Sequence, residues 1–272
     1  MNKCAFCIPI HPKHFDYAHH IIDQLSGSDA DLYFLFTSKE EKASFNNDGL
    51  YSSLFLEDFT DLDIIKENNS YITIKKFYGL SVLKDKYEYI ACIDAEVKFL
   101  IKTGFYNIMK KVADSKVFFG SILEQDNTGR CIIYDTLYSI TPSEDHENLT
   151  TISRNCSVYT WWSNIPVYSC AHLPDFLKWI DFRNDNLKNY NWNIFDHMLY
   201  NYFCVLFKGY GIKLSPYCLT SFEFLPSEVI EKIDAIEKLY WVNYIAYKQN
   251  PVFYEKNGFC LVYHCDRLTF PD

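Results

Sequence analysis

The stretch that decides the fold is Tyr87–Leu100, which reads Tyr-Glu-Tyr-Ile-Ala-Cys-Ile-Asp-Ala-Glu-Val-Lys-Phe-Leu. Its first part, Tyr89–Ile93, is a short apolar run with β-branched and aromatic residues, which is typical of a strand buried on both faces. Asp94, Ala95 and Glu96 follow directly. Side chains two apart on an extended chain point the same way, so we expect Asp94 and Glu96 to present two carboxylates to one place at the end of a core strand.

This acidic pair predicts a cation site. Two carboxylates that lie close together raise each other's pKa unless a cation neutralises them. A hard divalent ion with oxygen ligands, Mn²⁺ or Mg²⁺, is the usual partner, and the carboxyl ends of strands are where open α/β sheets hold their ligands. The pair alone leaves two alternatives open, because an acid that follows a strand also caps helices or faces solvent.

Composition limits the classes of protein to consider. The chain has 272 residues and a formal net charge of −9. It contains no long basic run, which argues against general nucleic-acid binding. No stretch reaches the roughly 18 apolar residues of a membrane span, and the N-terminus lacks a signal-peptide pattern, which leaves only peripheral membrane contact open. Cysteines such as Cys4, Cys92 and Cys204 lie in apolar runs, as buried free thiols do, so we expect a reduced, cytoplasmic protein.

Strand and helix patterns alternate in the first half of the chain. This alternation predicts an α/β fold with a mostly parallel sheet flanked by helices. In chain order the predicted elements are a strand at Ala5–Ile10, a helix at Phe15–Leu25, a strand at Leu32–Phe36, a helix at Lys39–Phe45, a strand at Tyr71–Ile74, a helix at Lys75–Lys86, the central strand, a helix at Phe105–Ala113 and a strand at Lys116–Gly120.

The second half has a different character. Residues 121–170 are rich in Tyr, Thr, Ser and Asn, which is typical of binding loops. Helical patterns follow at Leu173–Ile180 and at 191–207, and Ser227 is placed to cap a last long helix. No flexible linker interrupts the chain. We therefore predict a single domain, 1–272, with a ligand-binding half at 1–120 and a second binding half at 121–272.

The first half resembles the nucleotide-binding half of a GT-A glycosyltransferase. The resemblance is carried by the N-terminal strand–helix–strand pattern, the helix with Lys75 and Lys76, and the run Tyr-x-Tyr-Ile-x-x-Ile-Asp-Ala-Glu, and it covers about residues 1–120. It implies a GT-A-like (Rossmann-like) sheet, whose Asp-x-Asp type motif holds Mn²⁺ or Mg²⁺ against the diphosphate of a nucleotide sugar. Glu96 here stands in place of the second Asp. A third metal ligand from far along the chain is also implied, with His264 as the candidate and Asp266 as the second choice.

The nucleotide base should lie where the first two strands end, because ligands of such sheets bind at strand ends. Backbone groups, hydroxyls and ammonium groups are all available there. The predicted nucleotide-binding residues, besides Asp94, Ala95 and Glu96, are Ile8, Pro9 and Ile10 through their backbone, Thr37 or Ser38 through a hydroxyl, and Lys75 or Lys76 as a contact to a phosphate or a base edge.

The second half should bind the acceptor. If the reaction inverts the anomeric centre, the acceptor hydroxyl must give its proton to a base. Asp196 with His197 is the first candidate, and Asp175 is the second. Trp161 and Trp162 are candidates to stack on a sugar ring, although core packing explains one of them equally well.

These features together predict a metal-dependent glycosyltransferase. It would move a sugar from a nucleotide diphosphate sugar, a UDP-sugar being the expected donor, to a glycan or lipid-linked glycan acceptor in surface polysaccharide or lipooligosaccharide synthesis. One rival is a sugar-phosphate nucleotidyltransferase, which needs a Gly-rich basic loop after the first strand, where this chain has Ile10-His-Pro-Lys-His-Phe. The other rival is a non-catalytic carbohydrate-binding protein.

Overall fold

The computed structural model describes residues 2–47, 49–66, 71–121, 138–155, 166–191, 194–215, 241–256, 259–263 and 265. Its α-helices are α1 (Phe15–Leu25), α2 (Lys39–Phe45), α3 (Tyr71–Leu83), α4 (Phe105–Ser115), α5 (His146–Asn155), α6 (Leu173–Trp179), α7 (Asp196–Phe207), α8 (Tyr244–Gln249) and α9 (Pro251–Lys256). Its strands are β1 (Cys4–Pro9), β2 (Asp31–Phe36), β3 (Ser52–Phe55), β4 (Tyr89–Cys92), β5 (Lys98–Phe99), β6 (Val117–Ser121), β7 (Val167–Ser169), β8 (Gly211–Ser215), β9 (Trp241–Asn243) and β10 (Leu261–Tyr263).

The main sheet is mixed but mostly parallel, with the strand order β3-β2-β1-β4-β7. β1 pairs in parallel with both β2 and β4, and β2 pairs in parallel with β3. β7 is antiparallel to β4. The predicted α/β class with a mostly parallel sheet is therefore confirmed. Because β1, β2 and β4 run the same way, their carboxyl ends meet at one edge of the sheet.

Helices cover both faces of this sheet. Along β1, Ala5 and Cys7 belong to one apolar core, while Phe6 and Ile8 belong to another. The first core packs against α3, α6 and α7, and the second packs against α1 and α4. The residues of β4 divide in the same way, so the predicted burial of the central strand on both faces is confirmed. A strand covered on both faces reads as a continuous apolar run rather than as an alternating pattern.

Two small sheets accompany the main one. β6 and β8 pair in parallel, and β10 lies between β5, to which it is antiparallel, and β9, to which it is parallel. β5 follows the acidic segment directly and β10 comes from near the C-terminus. Their pairing therefore brings a late part of the chain beside residues 98–99.

One predicted strand is wrong. The predicted strand Tyr71–Ile74 and the first part of the predicted helix Lys75–Lys86 form the single helix α3. The β-branched residues favour a strand locally, but tertiary burial outweighs that preference. Thr73 Oγ1 donates to the carbonyl oxygen of Ile194 at 2.7 Å. The side chains that α3 buries in the first core recur at a spacing of three, which is helical, and are Ile74, Phe77, Leu80 and Leu83.

Three described helices of the second half, α5, α8 and α9, are not predicted by the sequence analysis. In α5, Leu149 is fully buried and Ile152 packs against the same core, but most of the segment is polar. The long helix predicted after Ser227 lies outside the described residues. None of the helices that the structure describes combines the length and apolar character needed to cross a bilayer.

The close approach of α3 to the sheet depends on Gly79. A Cβ atom at this position would lie 2.4 Å from Cys7 Sγ and 3.1 Å from Leu35 Cδ2. Both neighbours are buried on strands, so neither is able to move far without disturbing the core.

We therefore expect Gly79→Ala to lower the free energy of unfolding by about 1–2 kcal/mol, because overpacking outweighs the gain in helix propensity. Urea unfolding of this variant, compared with wild type, measures the change. Adding Cys7→Ala should restore most of the loss, since it removes the nearest atom. Gly211→Ala is the matched control, because nothing lies within 4 Å of a Cβ there. Equal stability of Gly79→Ala and wild type would contradict this account of α3.

Candidate functional site

A cavity lies at the carboxyl ends of β1 and β2. Its volume is about 540 Å³, which is in the range of small-molecule sites. Three segments line it: the loop after β1, the start of α2 and the first turns of α3. Its lining residues are Ile10, His11, Pro12, Thr37, Ser38, Glu40, Glu41, Ser44, Tyr71, Ile72 and Lys75.

Four of the residues predicted to bind a nucleotide therefore lie together around this cavity, namely Ile10, Thr37, Ser38 and Lys75. Ile8, Pro9 and Lys76 do not line it. Ile8 and Pro9 are the last two residues of β1, and their positions in the ladder are opposite Phe34 and Leu35 of β2. The backbone contact of Ile8 and Pro9 with a nucleotide stays a prediction.

The start of α2 is held in a fixed geometry beside the cavity. Ser38 is the N-cap, and its hydroxyl accepts a hydrogen bond from the amide of Glu41 at 3.1 Å. The Glu41 carboxylate reaches back and accepts from the amide of Thr37. This reciprocal arrangement is a variant of the capping box, which the pattern Ser-x-x-Glu predicts. It fixes one wall of the cavity before any ligand binds.

Lys75 reaches the cavity from α3. Its ammonium donates to the carbonyl oxygen of Ile10 at 2.7 Å and to Glu41 Oε2 at 3.4 Å. An ammonium group has three N–H donors, and among the described residues these two are the acceptors that Lys75 has. One donor therefore remains for a ligand. Burial lowers the pKa of Lys75 to about 8, although the neighbouring Glu41 carboxylate acts in the opposite direction.

The acidic segment lies after β4, at the same edge of the sheet. Asp94 is partly exposed, and its Oδ1 is 3.1 Å from the ammonium of Lys76. Ala95 is buried. Glu96 is nearly buried, and its Oε2 is 3.5 Å from His14 Nδ1. The two carboxylates thus have different cationic or polar neighbours, one from α3 and one from the loop after β1.

The loop after β1 connects the cavity to the acidic segment. His11 and Pro12 line the cavity, and the 3₁₀ turn Pro12–His14 ends at the histidine that contacts Glu96. The two features are therefore separated by a single turn of chain. Sequence reasoning did not assign a role to His11 or His14; the available signal was a pair of histidines directly after a strand that ends at the binding edge.

The donor types fit a hard divalent ion, since Asp94 and Glu96 both supply oxygen and Asp94 keeps part of its carboxylate in solvent. The described part of the chain contains no group of three His, Cys, Asp or Glu side chains placed to hold a metal. The predicted third ligand His264, and Asp266, lie outside the described residues. Cys265, which lies between these two residues in the chain, is described. The Cys265 amide donates to the carbonyl oxygen of Glu96 at 2.9 Å.

Asp94 adjoins a buried pair of charged side chains, Lys76 and Asp196. The Lys76 ammonium donates to Asp196 Oδ1 at 3.2 Å, and Tyr168 donates to Asp196 Oδ2. Burial acts to lower the pKa of Lys76, but the carboxylates of Asp196 and Asp94 outweigh it and raise that pKa. Burial acts to raise the pKa of Asp196, but Lys76 and then His197 outweigh it and hold that pKa well below its usual value. Lys76 and Asp196 are therefore a charged pair at neutral pH.

The described residues among those predicted for the acceptor side, Asp196, His197 and Asp175, are not grouped in one place. Asp196 is only 3% exposed, so it is a core residue rather than an exposed helical acid. His197 Nδ1 is 3.9 Å from Asp196 Oδ1, and the His197 side chain is nearly buried. Asp175 is exposed on α6 and pairs with Lys208 at 2.6 Å. Trp161 and Trp162 lie outside the described residues.

We expect Lys76→Met alone to lower the free energy of unfolding by about 3–5 kcal/mol, because it leaves the Asp196 carboxylate buried without its cation. The double variant Lys76→Met/Asp196→Asn should recover most of this loss, since the buried charges are removed together. The advantage of wild type over the double variant should shrink as the pH falls from 5 towards 2. The folded-state pKa of Asp196 is depressed, so its contribution is complete above the unfolded-state pKa of about 3.9 and is lost below it.

Denaturant unfolding at several pH values measures these differences. A single variant that is as stable as the double variant would show that Lys76 and Asp196 do not form a buried pair.

No protein-family model matches the chain, and no curated protein is significantly similar to it.

Proposed function

We propose that the protein is a metal-dependent glycosyltransferase of GT-A-like architecture that uses a nucleotide diphosphate sugar, with UDP as the expected nucleotide. The observation that carries the proposal is that a cavity and a pair of carboxylates adjoin at one edge of the sheet. A nucleoside-sized cavity with a buried lysine is joined by one 3₁₀ turn to a segment with two carboxylates. The parallel order β3-β2-β1-β4 with an antiparallel β7 is compatible with such an architecture.

Each part has a chemical task in this proposal. The cavity takes the nucleoside, and the remaining donor of Lys75 binds an oxygen of the base or of a phosphate. The diphosphate follows the turn Pro12–His14 towards Asp94 and Glu96. A divalent cation held by these two acids, with His264 as the proposed third ligand, would stabilise the negative charge that develops on the leaving diphosphate. The hydrogen bond from the Cys265 amide to the Glu96 carbonyl oxygen supports the choice of His264, the residue before Cys265 in the chain.

For the acceptor side we place the base at His197 rather than at Asp196. A carboxylate with a depressed pKa is a weak base at neutral pH. Asp196 then serves as the neighbour of His197 and the counter-ion of Lys76. Trp161 and Trp162 remain the proposed stacking surface for a glycan or lipid-linked glycan acceptor in surface polysaccharide or lipooligosaccharide synthesis.

The cytoplasm remains the proposed compartment, where nucleotide sugars are made. Every cysteine among the described residues is a buried free thiol, as expected for a reducing environment.

We expect UDP to bind in the presence of Mn²⁺, and Lys75→Met to weaken this binding at least tenfold through the loss of a charged hydrogen bond of about 1.5–3 kcal/mol. Isothermal titration calorimetry measures the affinity. Lys84→Met is the matched control, because Lys84 lies just beyond the same helix and pairs with exposed Asp85. Unchanged affinity in Lys75→Met would contradict the assignment of the cavity to the nucleotide.

A second experiment separates an enzyme from a carbohydrate-binding protein. Hydrolysis of a UDP-sugar by wild type, and its loss in Glu96→Gln, would indicate an enzyme.

The lowered pKa of Lys75 gives the binding a pH dependence. Below pH 8 the lysine is charged and the affinity for UDP should be at its full value. As the pH rises above about 8, the free protein loses this proton, and the affinity should fall. Lys75→Arg should keep the affinity nearly constant up to pH 9, because a guanidinium stays protonated. Calorimetry from pH 6.5 to 9 tests this, and parallel profiles for wild type and Lys75→Arg would rule out Lys75 as the titrating group.

A further inference from the structure

Asp94, the first acid of the proposed cation site, already has a cation beside it. Lys76 Nζ lies 3.1 Å from Asp94 Oδ1, which is as close as its 3.2 Å contact with Asp196. The ammonium also donates a hydrogen bond to Asp196 Oδ1. One buried ammonium is therefore shared between the two carboxylates.

Lys76 is fixed in this position. Its side chain is buried, and its ammonium donates a hydrogen bond to Asp196. Asp196 is fixed in turn by Tyr168, which lies on β7. The positive charge is therefore held beside Asp94 when another cation approaches. A divalent ion at Asp94 would meet this fixed like charge at short range.

We propose that Lys76 is an internal counter-ion that competes for Asp94, so that a divalent cation binds here only together with a diphosphate. The negative charge of the diphosphate offsets the fixed ammonium, and the cation then gains two sets of oxygen ligands. This inference rests on the proposed function and deepens it, because it assigns an order of binding to the same site. Lys76 is a positioning residue in this scheme, and its effect on the cation passes through Asp94.

The wild-type protein gives the first test. Electron paramagnetic resonance of free Mn²⁺ measures its affinity for the protein alone, for UDP alone and for the protein with saturating UDP. We expect Mn²⁺ to bind the protein–UDP complex at least tenfold more tightly than it binds either component. If Mn²⁺ binds the free protein as tightly as it binds the complex, the proposed competition by Lys76 is excluded.

A charge-neutral double variant gives the second test. Lys76→Met/Asp196→Asn removes one positive and one negative charge and leaves Tyr168 an acceptor, so Asp94 loses its neighbouring cation. We expect the affinity of this variant for Mn²⁺ alone to rise at least tenfold, and the further change Asp94→Asn to abolish the gain. The matched control is Lys110→Met/Asp114→Asn, which removes an exposed ion pair on α4 with the same change in charge and should leave Mn²⁺ binding unaltered.

The outcomes separate this inference from the proposed function. If the double variant folds, as judged by circular dichroism, and binds Mn²⁺ no better than wild type, the role of Lys76 is refuted even where UDP binds normally. If wild type binds no UDP at any Mn²⁺ concentration, the proposed function fails, while a rise in Mn²⁺ affinity in the double variant would still support competition at Asp94. If the double variant does not fold, equal Mn²⁺ affinities of the free protein and of the protein–UDP complex still refute the inference.

Discussion

The buried ammonium of Lys76 is the interaction on which the arrangement of the site depends. It joins three elements that are far apart in sequence: α3, the end of β4 and the start of α7. A lysine at this depth is stable only because carboxylates surround it, and removing either charge alone would leave the other without compensation. The same contact holds Asp94 Oδ1 beside the ammonium, while the Asp94 side chain stays partly exposed at the edge of the sheet. Core stability and the geometry of the candidate site thus rest on one group.

The pKa values of two adjacent lysines on α3 are shifted in opposite directions. Lys75 has a pKa lowered to about 8 by burial, with Glu41 as its only described carboxylate neighbour, whereas Lys76 has two carboxylates and a raised pKa. Neighbouring side chains on a helix point in directions about 100° apart, so one lysine reaches the cavity and the other reaches the acidic segment. The helix is positioned for this by Gly79, which lets it lie close against β1 and β2.

The general layout could be predicted from the sequence because it depends on local patterns. The apolar runs in β1, β2 and β4 and the helical period of α1 define the sheet edge, and the rule that ligands lie at strand ends then points to Thr37 and Ser38. Lys75 lines the same cavity for a different reason, since the strand predicted before it is part of α3. What could not be predicted depends on distant contacts. The partner of Lys76 is 120 residues away in sequence. His14 contacts Glu96 through a turn that has no periodic signal, and Tyr71–Ile74 is helical because of the core that it meets.

The strand β7 has a consequence for how the chain reaches this state. β4 pairs with β1 on one side, and its other side is covered by β7, which begins 75 residues after β4 ends, from Cys92 to Val167. During synthesis, β4 therefore emerges as an open edge strand, and until Asp196 follows, Asp94 is the one described carboxylate beside the Lys76 ammonium. The nascent first half thus lacks both the strand that covers β4 and the buried partner of Lys76. The protein should consequently consolidate only after β7 and α7 have been synthesised.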